Sequence, residues 1–156
     1  MCLPPRRTDR HRRALALARD EAAALPASAL GTGHLLLGLV REEGASGGGV
    51  LSGVDPDGIR ALLPRARRVP GPPRSTRRAV TALASARRSA RRRGEDDAGV
   101  EHLLVALLED PDCAAVAALE RLGVDVGDLW CRAVAELDRD RDAGVRPPGV
   151  LVLHRR

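Results

Sequence analysis

The chain contains no lysine, no phenylalanine and no tyrosine, and Trp130 is its only aromatic residue. Without lysine there is no P-loop lysine to reach a phosphate, no Schiff base and no Ser–Lys pair. A single aromatic ring provides no stacking platform for the successive bases of a single strand. The three cysteines, Cys2, Cys113 and Cys131, stand far apart with no CxxC spacing, which excludes a disulfide framework and a zinc site and points to a reducing compartment. Apolar stretches such as Leu35–Val40, six residues long including Gly38, fall far short of the ~20 a membrane-spanning helix needs. The charged start of the chain is not followed by the run of roughly 7–15 apolar residues that forms a signal core. A soluble, cytoplasmic protein away from membranes is the expectation.

What is abundant is arginine, which supplies all 26 basic residues, together with alanine, glycine and proline; these four make half of the 156 residues. Against 21 acidic residues the formal net charge is +5. Isoleucine occurs once, at Ile59, and the apolar set is mostly leucine and alanine, both good helix formers. The length suits one domain with a core of its own. Composition therefore predicts an all-α domain.

The chain repeats itself. Gly31-Thr-Gly-His34-Leu-Leu-Leu-Gly-Leu39 aligns with Gly99-Val-Glu-His102-Leu-Leu-Val-Ala-Leu107 at an offset of 68 residues. The same offset places Thr8 on Thr76, Arg10 on Arg78, Leu15 on Leu83, and Ala18 and Ala22 on Ala86 and Ala90. Gly53-Val-Asp55 matches Gly123-Val-Asp125 at an offset of 70. Four blocks in one order imply two tandem four-helix repeats packed as one pseudo-two-fold domain over 7–140. Repeat one spans 7–68, a proline-rich linker 69–74 and repeat two 75–140, with 141–156 a tail that ends in Val150-Leu-Val-Leu153-His-Arg-Arg.

In repeat one, apolar spacing predicts a helix over Thr8–Leu25, stopped by Pro26, and a second helix capped by Thr32. A short third helix is expected around Val50, and a fourth opened by Asp55-Pro56. In repeat two the expected helices are Ser75–Arg93, Val100–Glu109, one opened by Asp110-Pro111, and Asp125–Leu137.

The doubled G-T-x-H-L-L-x-x-L block, preceded by T-x-R and followed by G-V-D, resembles the N-terminal repeat domain of the Clp ATPases, the Clp R domain, closest to that of the C-type unfoldases. The resemblance covers about residues 7–138. It implies a non-enzymatic module that recruits clients and adaptor proteins to an ATP-driven unfoldase, here in a free-standing form without ATPase modules. Its implied partners are a Clp unfoldase, its adaptors or its client proteins, including phosphoarginine-bearing peptides, and it implies no cofactor. In that family a Glu in each repeat helps hold a phosphorylated guanidinium. Carried over by position, Glu101 keeps that carboxylate in repeat two, with Val100 in place of Thr, whereas repeat one keeps Thr32 and has Gly33 where the Glu would stand. The family's aromatic residue before T-x-R is replaced by Arg7 and Ser75. The binding set the resemblance implies is Thr8, Arg10, Thr32, Thr76, Arg78 and Glu101.

Other motifs read more simply. His34 and His102 occupy equivalent positions with no ligand-spaced partner, so they are expected to bond within their own repeats rather than to a metal. Gly44-Ala-Ser46-Gly-Gly48 matches G-x-S-x-G but lacks the preceding strand and the following acid and histidine that a nucleophile elbow requires. Residues 58–94 carry twelve arginines and no acid. On the predicted helix after Ser75, Arg77, Arg78, Arg88, Arg91 and Arg92 lie opposite an alanine and leucine stripe. That face offers an alternative function, binding of a polyanion or nucleic acid, against the simpler reading of a solvated face with cations at its C-terminus.

Overall fold

A computed structural model describes residues 7–25, 29–65, 70–72 and 74–144, with side chains from 8 to 139. Its elements are α1 (Arg7–Ala24), β1 (Ala29–Leu30), α2 (Thr32–Ala45), α3 (Pro56–Leu62), β2 (Arg74–Ser75), α4 (Arg77–Arg92), α5 (Val100–Leu108), α6 (Ala114–Arg121) and α7 (Val126–Gly144). The all-α expectation holds apart from one short parallel pairing, in which Ala29 lies against Arg74 and Leu30 against Ser75.

Two helices form the centre. Every residue of α5, and of α2 from Thr32 to Val40, is buried. A helix that is apolar on all sides belongs inside a domain, and Leu35, Leu36, Leu37 and Leu39 face the interior with Leu103, Leu104 and Leu107. Each such leucine contributes about 1.5–3 kcal/mol by leaving water. The outer helices bring small residues to this centre: Ala14, Ala18 and Ala22 from α1, and Ala79, Ala82, Ala86 and Ala90 from α4. Small stripes let helix axes approach closely. A Cβ on Gly38 would lie 2.2 Å from the Ala14 carbonyl oxygen and 2.9 Å from the Ala18 Cβ, so α1 rests on α2 at a glycine. The equivalent of Gly38 in the second half is Ala106, facing α4.

The 68-residue spacing reappears in the bonding. Arg10 Nε donates to Glu42 Oε2 at 3.0 Å, and Arg78 donates to Asp110 at 2.6 Å; both partners of the second pair lie 68 residues after those of the first. The Gly31 N–H donates to His34 Nδ1 at 3.1 Å and the Gly99 N–H to His102 Nδ1 at 3.1 Å. Asp55 accepts from the Gly58 N–H at the start of α3, and Asp125 from the Asp128 N–H at the start of α7.

Several expected boundaries are corrected. Residues 50–53 form turns rather than a third helix, because Glu43 accepts the Leu51 N–H at 2.7 Å and draws the loop down onto the end of α2. A Cβ on Gly49 would lie 2.5 Å from the Glu43 carboxylate, so that approach requires glycine. The N-cap of α2 is Gly31, whose N–H is taken by His34, and Thr32 is the first helical residue with its side chain buried. Ser75 is in β2, and α4 starts after Thr76, whose hydroxyl accepts the Ala79 N–H at 3.2 Å. Asp110-Pro111 opens a turn instead of a helix: the Asp110 carboxylate is occupied by Arg78 and the Asp112 N–H, and α6 begins three residues later, capped by the Cys113 sulfur. Helix α7 continues past Leu137 to Gly144. Val69 and Pro73 of the linker, and the Val150–Leu153 segment, lie outside the described residues.

Candidate functional site

The residues picked out by the repeat motif divide among three places. Thr32, Thr76 and Arg78 meet at one cleft of about 530 Å³, where the N-terminus of α2 faces the start of α4. Its apolar wall comes from Ala29, Gly33, Leu63 and Ala114, and Arg77 and Asp112 stand at its edge. The motif had not pointed to Leu63, Asp112 or Ala114, since they come from the end of α3 and the start of α6, far from it in sequence. Of the three, only Leu63 carried a prior signal, the apolar periodicity of the helix opened by Asp55-Pro56.

Gly33 has a packing reason. A Cβ built there would lie 2.2 Å from Leu63 Cδ2, so Leu63 occupies the space a side chain at position 33 would need. In the second half the counterpart of Leu63, 70 residues on, is the smaller Ala133, and the counterpart of Gly33 is Glu101.

Glu101 and Arg10 belong to a second place. Glu101 is 7% exposed, and its Oε1 lies 3.9 Å from Arg10 Nη1. Arg10 is shared with Glu42, which also receives Arg13 at 3.1 Å and the Ser46 hydroxyl at 2.5 Å. Glu43 lies close to this group, and burial pushes its carboxyl above the usual carboxylate range, against the hydrogen bond from Leu51 and the Arg10 charge. Glu101 thus faces an internal guanidinium across a buried polar cluster. Thr8 lines a different cleft, between α1 and α4. Ser46, within its G-x-S-x-G match, donates to Glu42 at the C-terminal end of a helix, which is not the geometry of a nucleophile elbow.

Both equivalent histidines are helix-start acceptors. Accepting at Nδ1 places the ring proton on Nε2, and burial holds the His34 imidazole below its ordinary value. Among the described residues no group of three His, Cys, Asp or Glu side chains is arranged to hold a metal ion. None of the described helices is long and apolar enough to cross a membrane.

The arginine face is less uniform than its sequence. Arg78 is bound to Asp110, which lowers the Asp110 carboxyl from its ordinary value. Arg60 grips the buried Glu21 through Nε at 2.9 Å and Nη2 at 2.6 Å, and Arg93 meets Asp138 at 2.8 Å. Of the arginines expected to bind a polyanion, Arg77, Arg88, Arg91 and Arg92 remain exposed without an ion pair among the described residues.

Comparison with known proteins agrees with this architecture. The family model described as the Clp repeat (R) N-terminal domain matches residues 74–148. The chain is similar to the negative regulator of genetic competence ClpC/MecB of Bacillus subtilis (strain 168), with 33% identity over 125 residues, covering 76% of this chain and 15% of that protein. It is similar to the chaperone protein ClpB of Oceanobacillus iheyensis at 33% identity, covering 76% of this chain and 16% of that one. The crystal structure of the N-terminal domain of the caseinolytic protease associated chaperone ClpD from Arabidopsis thaliana superposes with a TM-score of 0.71 at 25% identity, covering 83% of this chain and 93% of that one. The chain spans 15% to 18% of the length of five curated relatives it matches, the Bacillus subtilis and Oceanobacillus iheyensis proteins among them.

Proposed function

This chain carries a Clp repeat (R) N-terminal domain, and we propose that it works as a protein-binding module of the Clp proteolysis system, recruiting client or adaptor proteins as an adaptor or competing for them as a decoy. The observation that carries the reading is the cleft where Thr32, Thr76 and Arg78 converge beside Gly33. It has the concave, mostly apolar form with a few polar groups that ligand sites take, and it joins motif residues of both halves.

Phosphoarginine-bearing peptides are the ligand class implied by the resemblance. In this chain the cleft beside Gly33 has no carboxylate at that position to meet a guanidinium. Glu101 has one, and a ligand there displaces Arg10. The reading therefore predicts at most one phosphoarginine site per chain. A charge-assisted hydrogen bond is worth about 1.5–3 kcal/mol, and position 33 cannot supply one.

The test is site-specific photocrosslinking from position 114, an exposed residue of the cleft wall, in cytosol that contains a Clp unfoldase, its adaptors and its clients. Crosslinks to any of these, lost on blocking the cleft with Asp112→Trp at its edge, support the proposal. Recovery of none of them, together with no phosphoarginine binding by calorimetry, refutes it.

A further inference from the structure

Fewer than half of the arginines with described side chains have found carboxylates. Arg10, Arg13, Arg41, Arg60, Arg78, Arg93, Arg132 and Arg139 each lie within 4 Å of an Asp or Glu. Arg12, Arg87 and Arg91 do not take part in any ion pair among the described residues, and these three line one cleft. That cleft, of about 350 Å³, runs between α1 and α4. Arg87 and Arg91 are four residues apart and so share one face of α4. Arg12 approaches from α1, on the opposite wall with Thr8 and His11. Nothing in the sequence pattern of either helix requires this meeting, since it joins the two halves.

His11 adds a second observation. Its Nδ1 is buried with no hydrogen-bond partner among the described residues, while the backbone of Gly99 hydrogen-bonds to the imidazole. An unmade hydrogen bond at a buried polar atom is costly in an empty site and is satisfied when a ligand supplies the partner.

We propose that the cleft between α1 and α4 is a binding site for a small phosphate-bearing anion, held by the guanidinium groups of Arg12, Arg87 and Arg91. Three convergent guanidiniums and a threonine hydroxyl match the several acceptor oxygens of a phosphate. The hydroxyl form of such an anion also has a proton to donate to an imidazole nitrogen. The loop that leads into α5 places Asp96 and Asp97 on the same cleft, and these set the size of the ligand. A compact anion sits among the guanidiniums, whereas a long polyanion would carry its flanking charges against both carboxylates. The site is thus distinct from a diffuse arginine face for nucleic acid, and it does not depend on client binding at the Gly33 cleft.

The test uses the full chain and calorimetric titration with inorganic phosphate and with phenyl phosphate, which separate a free ion from a phosphate carried on an organic group. Saturable binding of either supports the proposal. Arg87→Gln and Arg91→Gln, both at exposed side chains that leave the helix intact, should each weaken it about tenfold. Arg92→Gln, on the same helix but outside the cleft, should leave it within about twofold, since only screened long-range charge is lost. The proposal is overturned if neither compound saturates, or if Arg92→Gln weakens binding as much as Arg91→Gln. Tighter binding of a 20-base-pair duplex, equally sensitive to Arg88→Gln and Arg92→Gln, would also overturn it.

Discussion

Replacing Gly38 by alanine probes how α1 and α2 are held together. In an ordinary helix interior the change is favourable by up to about 1 kcal/mol, because glycine loses more backbone freedom on folding. Here the new methyl lies 2.2 Å from the Ala14 carbonyl oxygen and 2.9 Å from both the nitrogen and the Cβ of Ala18. Relieving that overlap requires the two helices to separate by roughly 1 Å, which loosens contacts along the whole crossing. Overpacking of this kind costs about 1–3 kcal/mol, and more where the obstacle is backbone. The net expectation is a loss of about 1–2 kcal/mol, or a fall of about 2–8 °C in Tm for a chain of this size. Thermal denaturation followed by circular dichroism measures it. Because the nearest obstacle is a carbonyl oxygen and not a methyl, adding Ala18→Gly should fail to restore Tm. The counterpart Ala106→Gly has no clash to relieve and should cost about 1 kcal/mol in helix propensity alone. A Gly38→Ala protein as stable as the parent would refute the close-crossing argument.

Three further expectations follow from the buried groups. Leu104→Ala, at a site 2% exposed in the central helix, should cost about 2–5 kcal/mol, and an unchanged thermal midpoint would contradict the assignment of α5 to the core. The hydrogen bond and charge of Arg60 hold the Glu21 carboxyl below its ordinary 4.5, against the opposing effect of burial. That stability is present above the unfolded carboxylate range and is lost as pH falls through the folded value. Arg60→Ala should therefore lower neutral-pH stability by about 1–3 kcal/mol and flatten the acid limb in urea titrations run at several pH values. Glu43 works the other way, its raised carboxyl favouring the fold at lower pH, so the measured limb is the difference of the two. Burial lowers His34 from 6.5, so the unfolded chain takes up a proton first and stability falls as pH drops below that value. His34→Gln, whose amide oxygen can still accept the Gly31 N–H, should reduce that slope while keeping neutral-pH stability within about 1 kcal/mol.

How far the sequence reaches depends on the range of the interaction concerned. The Asp55 cap is legible because it acts within three positions of chain, where spacing alone decides the partner, and the 68-residue offset is legible as repetition itself, whereas the Gly31 cap of α2 was taken for Thr32. The Arg10–Glu42 and Arg78–Asp110 pairs were written in the same offset and pass unnoticed, since an ion pair 32 residues long has no local signature. Helix starts were misplaced where a longer-range partner outbid the local one, as when Arg78 occupied the Asp110 carboxylate and left Cys113 to cap α6.

Composition and repetition by themselves determined that this chain would be helical and doubled, and they marked the residues that open its central helices. Only tertiary structure decided that Leu63 would fill the space beside Gly33, that Arg10 would turn inward to Glu101, and that Arg12 would meet Arg87 and Arg91 across the two halves. The physical reason is that helix periodicity fixes which residues share a face, whereas which faces meet, and how closely, depends on side-chain volumes contributed by elements that are remote along the chain.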